Sequence, residues 1–221
     1  MNEFLYGVLP YIALTIFVGG TIFRYTVYER NWTTKSSEFL SKGDLKWANP
    51  IFHIGLLMAF GGHCIGILVP KFVTEAAGTD EHMDHLISLA GGLPAAVLFL
   101  GGFLLLLKRR FGGSDRMVVN TSTMDKWLYL VLFLTIVSGT VGTVSNIPGG
   151  FDYREAISPW FRSLLMLQPD ISLMENVPPI FQIHMLMWMI TAILFPFTRL
   201  VHCLSFPFEY LLRSKIIYRQ K

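Results

Sequence analysis

Residues 49–70, NPIFHIGLLMAFGGHCIGILVP, and residues 181–205, FQIHMLMWMITAILFPFTRLVHCLS, are both intensely apolar, and each carries two histidines. A helix needs about 20 such residues to cross the hydrocarbon core of a bilayer, so both stretches read as membrane spans. At that depth an unpartnered polar ring is costly, and an ionisable residue there marks a functional position. His53 and His63 lie on the first stretch, His184 and His202 on the second. Two rings on each of two helices is an arrangement that can clamp two metal centres between a helix pair.

The rest of the chain agrees with a membrane setting. Of 221 residues, 52% are hydrophobic and only 15% charged, against roughly 25% charged in an average soluble domain. Mean hydropathy is +0.50. Five spans are expected, at about 4–23, 47–69, 86–107, 128–144 and 177–206, the fourth being the shortest. They form one all-α bundle and a single domain over 1–221, leaving no segment for a soluble one. The first span lacks a basic leader and an A-x-A-like cleavage site, so it is expected to stay as a helix. Net charge is +3. The basic residues fall between spans rather than in a stripe, which excludes a nucleic-acid role.

Loop charges set the orientation. Five Lys or Arg flank the first loop, from Arg24 to Lys46, five the third, from Lys108 to Lys126, and five the C-terminal end, from Arg199 to Lys221. Only Lys71, Arg154 and Arg162 fall on the other side. The positive-inside rule then puts the N-terminus outside and the C-terminus in the cytoplasm. This topology levels His63 with His184 near the outer face, and His53 with His202 near the inner one. The offsets do not match as straight helices: roughly 15 Å from His53 to His63 and roughly 27 Å from His184 to His202. Pro196, between the latter two, can kink the fifth span and re-aim one ring.

Neutral imidazole is a natural metal ligand, and paired axial histidines hold b-type haem. Histidines that merely hydrogen-bond across helices are the duller reading, and two level pairs favour ligation over it. Zinc asks for four close ligands, and no carboxylate or thiolate cluster lies at depth. No C-x-x-C-H occurs, which excludes covalently attached haem. Cys64 and Cys203 are expected to be apolar filler. Gly55, Gly61, Gly62, Gly66, Gly91, Gly92, Gly101 and Gly102 suit both a flat macrocycle and close helix contact. Arg110 and Arg199 are candidate partners for haem propionates. His82 and His85 read as solvated residues of the short outer segment 78–88, and Glu75, Asp80, Glu81 and Asp84 as acidic groups of the outer loop.

The chain resembles the gamma subunit of respiratory nitrate reductase, a dihaem membrane cytochrome b, over essentially its whole length. The resemblance rests on NPIFHIGLLMAFGGH at 49–63, LLKRRF at 106–111 and FPFTRLVHCLSFPFEYL at 195–211. Its H-x9-H and H-x17-H spacings differ from the more even ones of bc-complex cytochrome b. The resemblance implies two haem b groups, with His53 and His202 on the inner iron and His63 and His184 on the outer. It implies a prokaryotic cell-membrane protein that oxidises menaquinol or ubiquinol near the outer face. Electrons would pass inward to an iron–sulfur beta subunit and then to a molybdenum-cofactor alpha subunit that reduces nitrate. Family members can carry a lysine near the quinol site before the third span, but this chain has no Lys or Arg between Lys71 and Lys108. Gly62 and His85, with Asp84, are the candidates left for the quinol pocket. The basic tail from Phe208 to Lys221 is expected to dock the iron–sulfur subunit rather than lie on lipid. A related cytochrome feeding another oxidoreductase, and a membrane anchor without redox activity, are the alternative readings.

Overall fold

A computed structural model describes residues 2–27, 45–112 and 121–204. Five helices in it are long and apolar enough to cross a membrane. They are α1 (Glu3–Val27), α2 (Leu45–Leu68), α4 (Glu81–Phe111), α5 (Thr123–Ser145) and a fifth span, Pro179–Phe197, whose α-helical part α7 is Pro179–Leu194. Two short helices, α3 (Lys71–Ala76) and α6 (Ile157–Leu165), lie between spans. The basic tail and the end of the expected fifth span lie outside the described residues.

Several boundaries differ from expectation because charged residues sit inside helix ends. Asp80 caps α4 by accepting from the Met83 N–H at 2.7 Å. His82 and His85 therefore belong to the first turn of a helix, not to a loop. Ser122 and Asp125 form a reciprocal capping box, which starts α5 five residues before the apolar run at Leu128. The fourth span is thus 23 residues long, and the fifth, at 19, is the shortest. The fifth ends early because Pro196 has no N–H to continue the helix. Phe195–Phe197 tightens into a 3-10 turn, Thr198 is extended, and a second 3-10 turn, Arg199–Leu204, follows.

α2 packs on α4, α4 on α5, α5 on α7, and α7 on α1. Glycine makes the first of these contacts possible. A Cβ at Gly55 would collide with the backbone of Phe99, and one at Gly102 with the backbone of Phe52. The two helices cross backbone to backbone, which is the close-contact use of small residues. Gly61, Gly62, Gly91 and Gly101 meet nothing within 4 Å. Large apolar side chains such as Leu57 and Val97 face outward at 67% and 71% exposure, as suits lipid as solvent.

At the His63 end, α6 covers the ends of α1 and α2. Ser158 Oγ donates to Gly66 O, Arg162 to Ile67 O and Arg154 to Val69 O. These are the carbonyls a helix leaves unpaired at its C-terminus, and the guanidiniums also complement its dipole. The Trp160 indole donates to Tyr6 O at 3.0 Å, which ties α1 to the same lid. Tyr6, Ile157, Trp160, Leu164, Met174, Val177 and Met189 form its buried core.

Candidate functional site

The four membrane histidines meet in two pairs between α2 and the fifth span. The ring centroids of His63 and His184 are 5.9 Å apart, and those of His53 and His202 are 6.5 Å apart. The pairing is the one the loop charges give. Both pairs close at once because the fifth span is not one helix: the turn at Thr198 carries His202 off the axis of α7.

Local bonds fix the same tautomer in every ring. Nδ1 lies 2.8 Å from Asn49 O in His53, 2.6 Å from Ala59 O in His63 and 2.6 Å from Arg199 O in His202. A carbonyl only accepts, so Nδ1 carries the proton and Nε2 keeps its lone pair. His184 Nδ1 is 3.0 Å from Thr135 O and 3.1 Å from Ser138 Oγ, both on α5. Its Nε2 accepts the Trp188 indole N–H at 3.2 Å. Trp188, one turn further on, also lies 5.9 Å from the His63 ring. Imidazoles anchored through Nδ1 to carbonyls, with Nε2 unprotonated, have the orientation that a hydrogen-bonded metal ligand needs.

His184 needs room on α5. A Cβ at Gly139 would stand 2.6 Å from its Cε1. Neither Gly139 nor Ser138 stood out in the sequence; their signal was only a small-residue stretch, SGTVG, in the fourth span. Among the described residues no three His, Cys, Asp or Glu side chains converge on one point. Each pair offers two donors, so a metal held there must bring its remaining ligands with it.

Near the His53–His202 end, the guanidiniums expected to meet propionates are engaged within the chain. Arg199 grips Asp125 with two bonds, Nε to Oδ1 at 2.6 Å and Nη2 to Oδ2 at 2.8 Å. Arg110 Nη2 lies 3.5 Å from Asp125 Oδ2, and its Nε donates to Thr121 Oγ1 at 2.8 Å. Asp125 and Arg110 are only 4% exposed. One buried carboxylate therefore ties α4, α5 and the turn carrying His202. Sequence reading missed Asp125, although Ser-x-x-Asp ahead of an apolar run is a capping signature.

At the opposite end, the polar groups proposed for the quinol pocket also have partners. Asp84 Oδ2 accepts from Arg154 Nη1 at 2.6 Å and from Thr74 Oγ1 at 3.2 Å. His85 Nε2 is 3.2 Å from Ile147 O and packs against Gly149. Gly62, beside His63, presents a bare backbone face. Cys64 is half-buried and Cys203 exposed, both as free thiols.

Five helices of membrane-spanning length, with two facing histidine pairs between α2 and the fifth span, mark a multi-pass membrane protein. A family model described as nitrate reductase gamma subunit matches residues 2–221. The nitrate reductase gamma chain of Bacillus subtilis is 44% identical over 222 residues, covering all of this chain and 99% of that protein. The respiratory nitrate reductase 1 gamma chain of Escherichia coli is 31% identical, over all of this chain and 98% of that protein. A nitrate reductase-like protein, NarX, of Mycobacterium tuberculosis is 40% identical across the whole chain, which spans 34% of its length. The chain belongs to the nitrate reductase gamma subunit family.

Proposed function

We propose that this chain is the quinol-oxidising cytochrome b subunit of a respiratory nitrate reductase, holding two b haems. His53 and His202 would be axial ligands of the inner haem, His63 and His184 of the outer. The observation that carries this reading is the ring separation. A metal–imidazole bond is about 2 Å and the ring centre lies roughly 1 Å behind its nitrogen, so two rings on opposite sides of one iron sit roughly 6 Å apart. Separations of 5.9 and 6.5 Å fit that spacing. The unprotonated Nε2 atoms, the absence of a third protein ligand among the described residues and the room that Gly139 leaves for the His184 ring suit a metal enclosed in a flat ring. When bound, the haems supply one-electron chemistry in series between quinol and the iron–sulfur partner.

The chain's own residues do the rest. Carbonyl bonds to Nδ1 keep each Nε2 unprotonated, so ligation needs no tautomer change. Trp188 N–H occupies the lone pair of His184 Nε2 and would have to turn away for that nitrogen to hold a metal. The bare backbone at Gly62 would let a planar quinol approach the His63 end, with His85 a polar candidate on α4. Oxidation there would release protons outward while electrons move inward. Each charge carried across the full field is worth about 2.3 kcal/mol per 100 mV, which is how the subunit would contribute to the proton-motive force. The electrons would leave at the His53–His202 end for a cytoplasmic iron–sulfur beta subunit and a molybdenum-cofactor alpha subunit.

Reduced-minus-oxidised spectra of the purified protein test the haems directly. Bands of bis-histidine haem b are expected, and their absence would leave a redox-inactive anchor. Replacing His63 and His184 together should leave one haem per chain by pyridine haemochrome assay. Two remaining haems would refute the pairing.

A further inference from the structure

The fifth span is broken at membrane depth, and the break is held from outside. Ending the helix at Leu194 leaves carbonyls near Pro196 without their helical partners, and such groups must find donors inside a bilayer. Arg24, in the last turn of α1, supplies them. One nitrogen, Nη1, donates to Pro196 O at 2.6 Å and to Thr198 O at 2.9 Å. The two carbonyls bracket the residues where the chain changes direction, and Thr198 between turns is extended at φ −120° and ψ −175°.

The same face of α1 braces the break twice more. Phe17 meets Phe195 edge to face at 4.8 Å between centroids. Gly20 lies so close that a Cβ there would be 2.9 Å from Pro196 Cγ. Positions 17, 20 and 24 follow the i, i+3, i+7 spacing of one helix face. Past the break, Arg199 is pinned to Asp125 by its side chain and holds His202 Nδ1 by its carbonyl. The direction of the segment from 198 to 202 decides whether His202 faces His53.

We propose that Arg24 is a positioning residue for His202: by bridging the Pro196 and Thr198 carbonyls it holds the break in the register that brings His202 opposite His53, and so governs the inner metal site while leaving the outer one alone. This rests on the cytochrome reading for its haem readout. Arg24→Leu removes both donated bonds, and Arg24→Lys keeps a cation with enough N–H groups to reach two oxygens.

The test uses the full chain in its native membrane. Arg24→Leu should halve the haem per chain, and the surviving redox transition should match that of His202→Ala rather than that of His184→Ala. Arg24→Lys should keep both haems. A second readout needs no haem. With Cys64 and Cys203 replaced by Ala, nitroxides on cysteines at 53 and 202 should show one narrow distance with Arg24 in place and a broad distribution in Arg24→Leu. A pair at 63 and 184 should not change. An Arg24→Leu chain with both haems, unshifted potentials and a narrow 53–202 distance would overturn the proposal. If that variant does not accumulate, Gly20→Leu, which pushes on Pro196 with Arg24 intact, should lose the same haem selectively, and retention of both would be equally fatal. A parent protein without haem would remove the cytochrome reading, while the nitroxide distances would still decide the role of Arg24.

Discussion

At Gly139 an added methyl would stand 2.6 Å from the His184 ring, which is itself tethered to Thr135 O and Ser138 on the same helix. The ring cannot retreat without giving up the bond that sets its tautomer. Overpacking of this kind typically costs 1–3 kcal/mol, and here the strain falls on a proposed ligand. We expect Gly139→Ala to lower haem content toward one per chain, with the transition assigned to the His53–His202 site retained. Ser138→Ala should be mild by the same haemochrome assay, because Thr135 O still accepts the Nδ1 proton. Equal losses in the two variants would show that the glycine is not what makes room for the ring.

Between elements, the strongest ties are ionic and join residues far apart in sequence. Asp125 serves the start of α5, the end of α4 and the turn bearing His202 together. Removing one partner of a buried ion pair costs about 3–5 kcal/mol, because the other charges stay buried. Asp125→Asn should therefore lower the thermal stability of the solubilised protein and release the inner haem first on heating. Lys71 makes a weaker tie at the other end, donating to Glu155 at 2.6 Å and Asp152 at 3.0 Å. Those carboxylates, Glu155 foremost, raise its pKa above the usual lysine range. A raised pKa means that the contribution is complete below the ordinary lysine pKa of about 10.4 and fades only as pH climbs through the higher value. Hydrogen exchange in α3 should thus show the tie intact from neutral pH to the ordinary lysine range, and lost at neutral pH in Lys71→Met. The five spans were legible because hydropathy is a local signal, and the histidine pairs because topology levels them. The tie of Asp125 to Arg199 and that of Arg24 to Pro196 were not, since those partners lie 74 and 172 residues apart and only packing brings them together. Pro196 announced a kink without its direction, and α6, short and amphipathic, left no run of apolar residues to find.

For the whole molecule, the placement of its charges bears on the proposed orientation. Among the described residues, four of the Lys and Arg assigned to the cytoplasmic side are built into the protein. Arg24 bridges carbonyls, Arg110 and Arg199 meet Asp125, and Arg109 is 7% exposed. On the opposite side, Lys71 is paired with Asp152 and Glu155, Arg154 with Asp84, and Arg162 caps Ile67 O. All three cations there are neutralised or bound to the fold, so none of them is a loose loop charge of the kind the positive-inside rule reads. The His63–His184 end should therefore face outward. In intact cells, a cysteine placed at Glu155, whose side chain is 66% exposed, should react with a membrane-impermeant maleimide. One placed at Lys46 should react only after permeabilisation. In vesicles of known sidedness fed a reduced quinol analogue, protons should then appear on the face where position 155 is labelled. Labelling of position 46 from outside would invert the bundle, and proton release on the face of position 46 would move quinol oxidation to the other end.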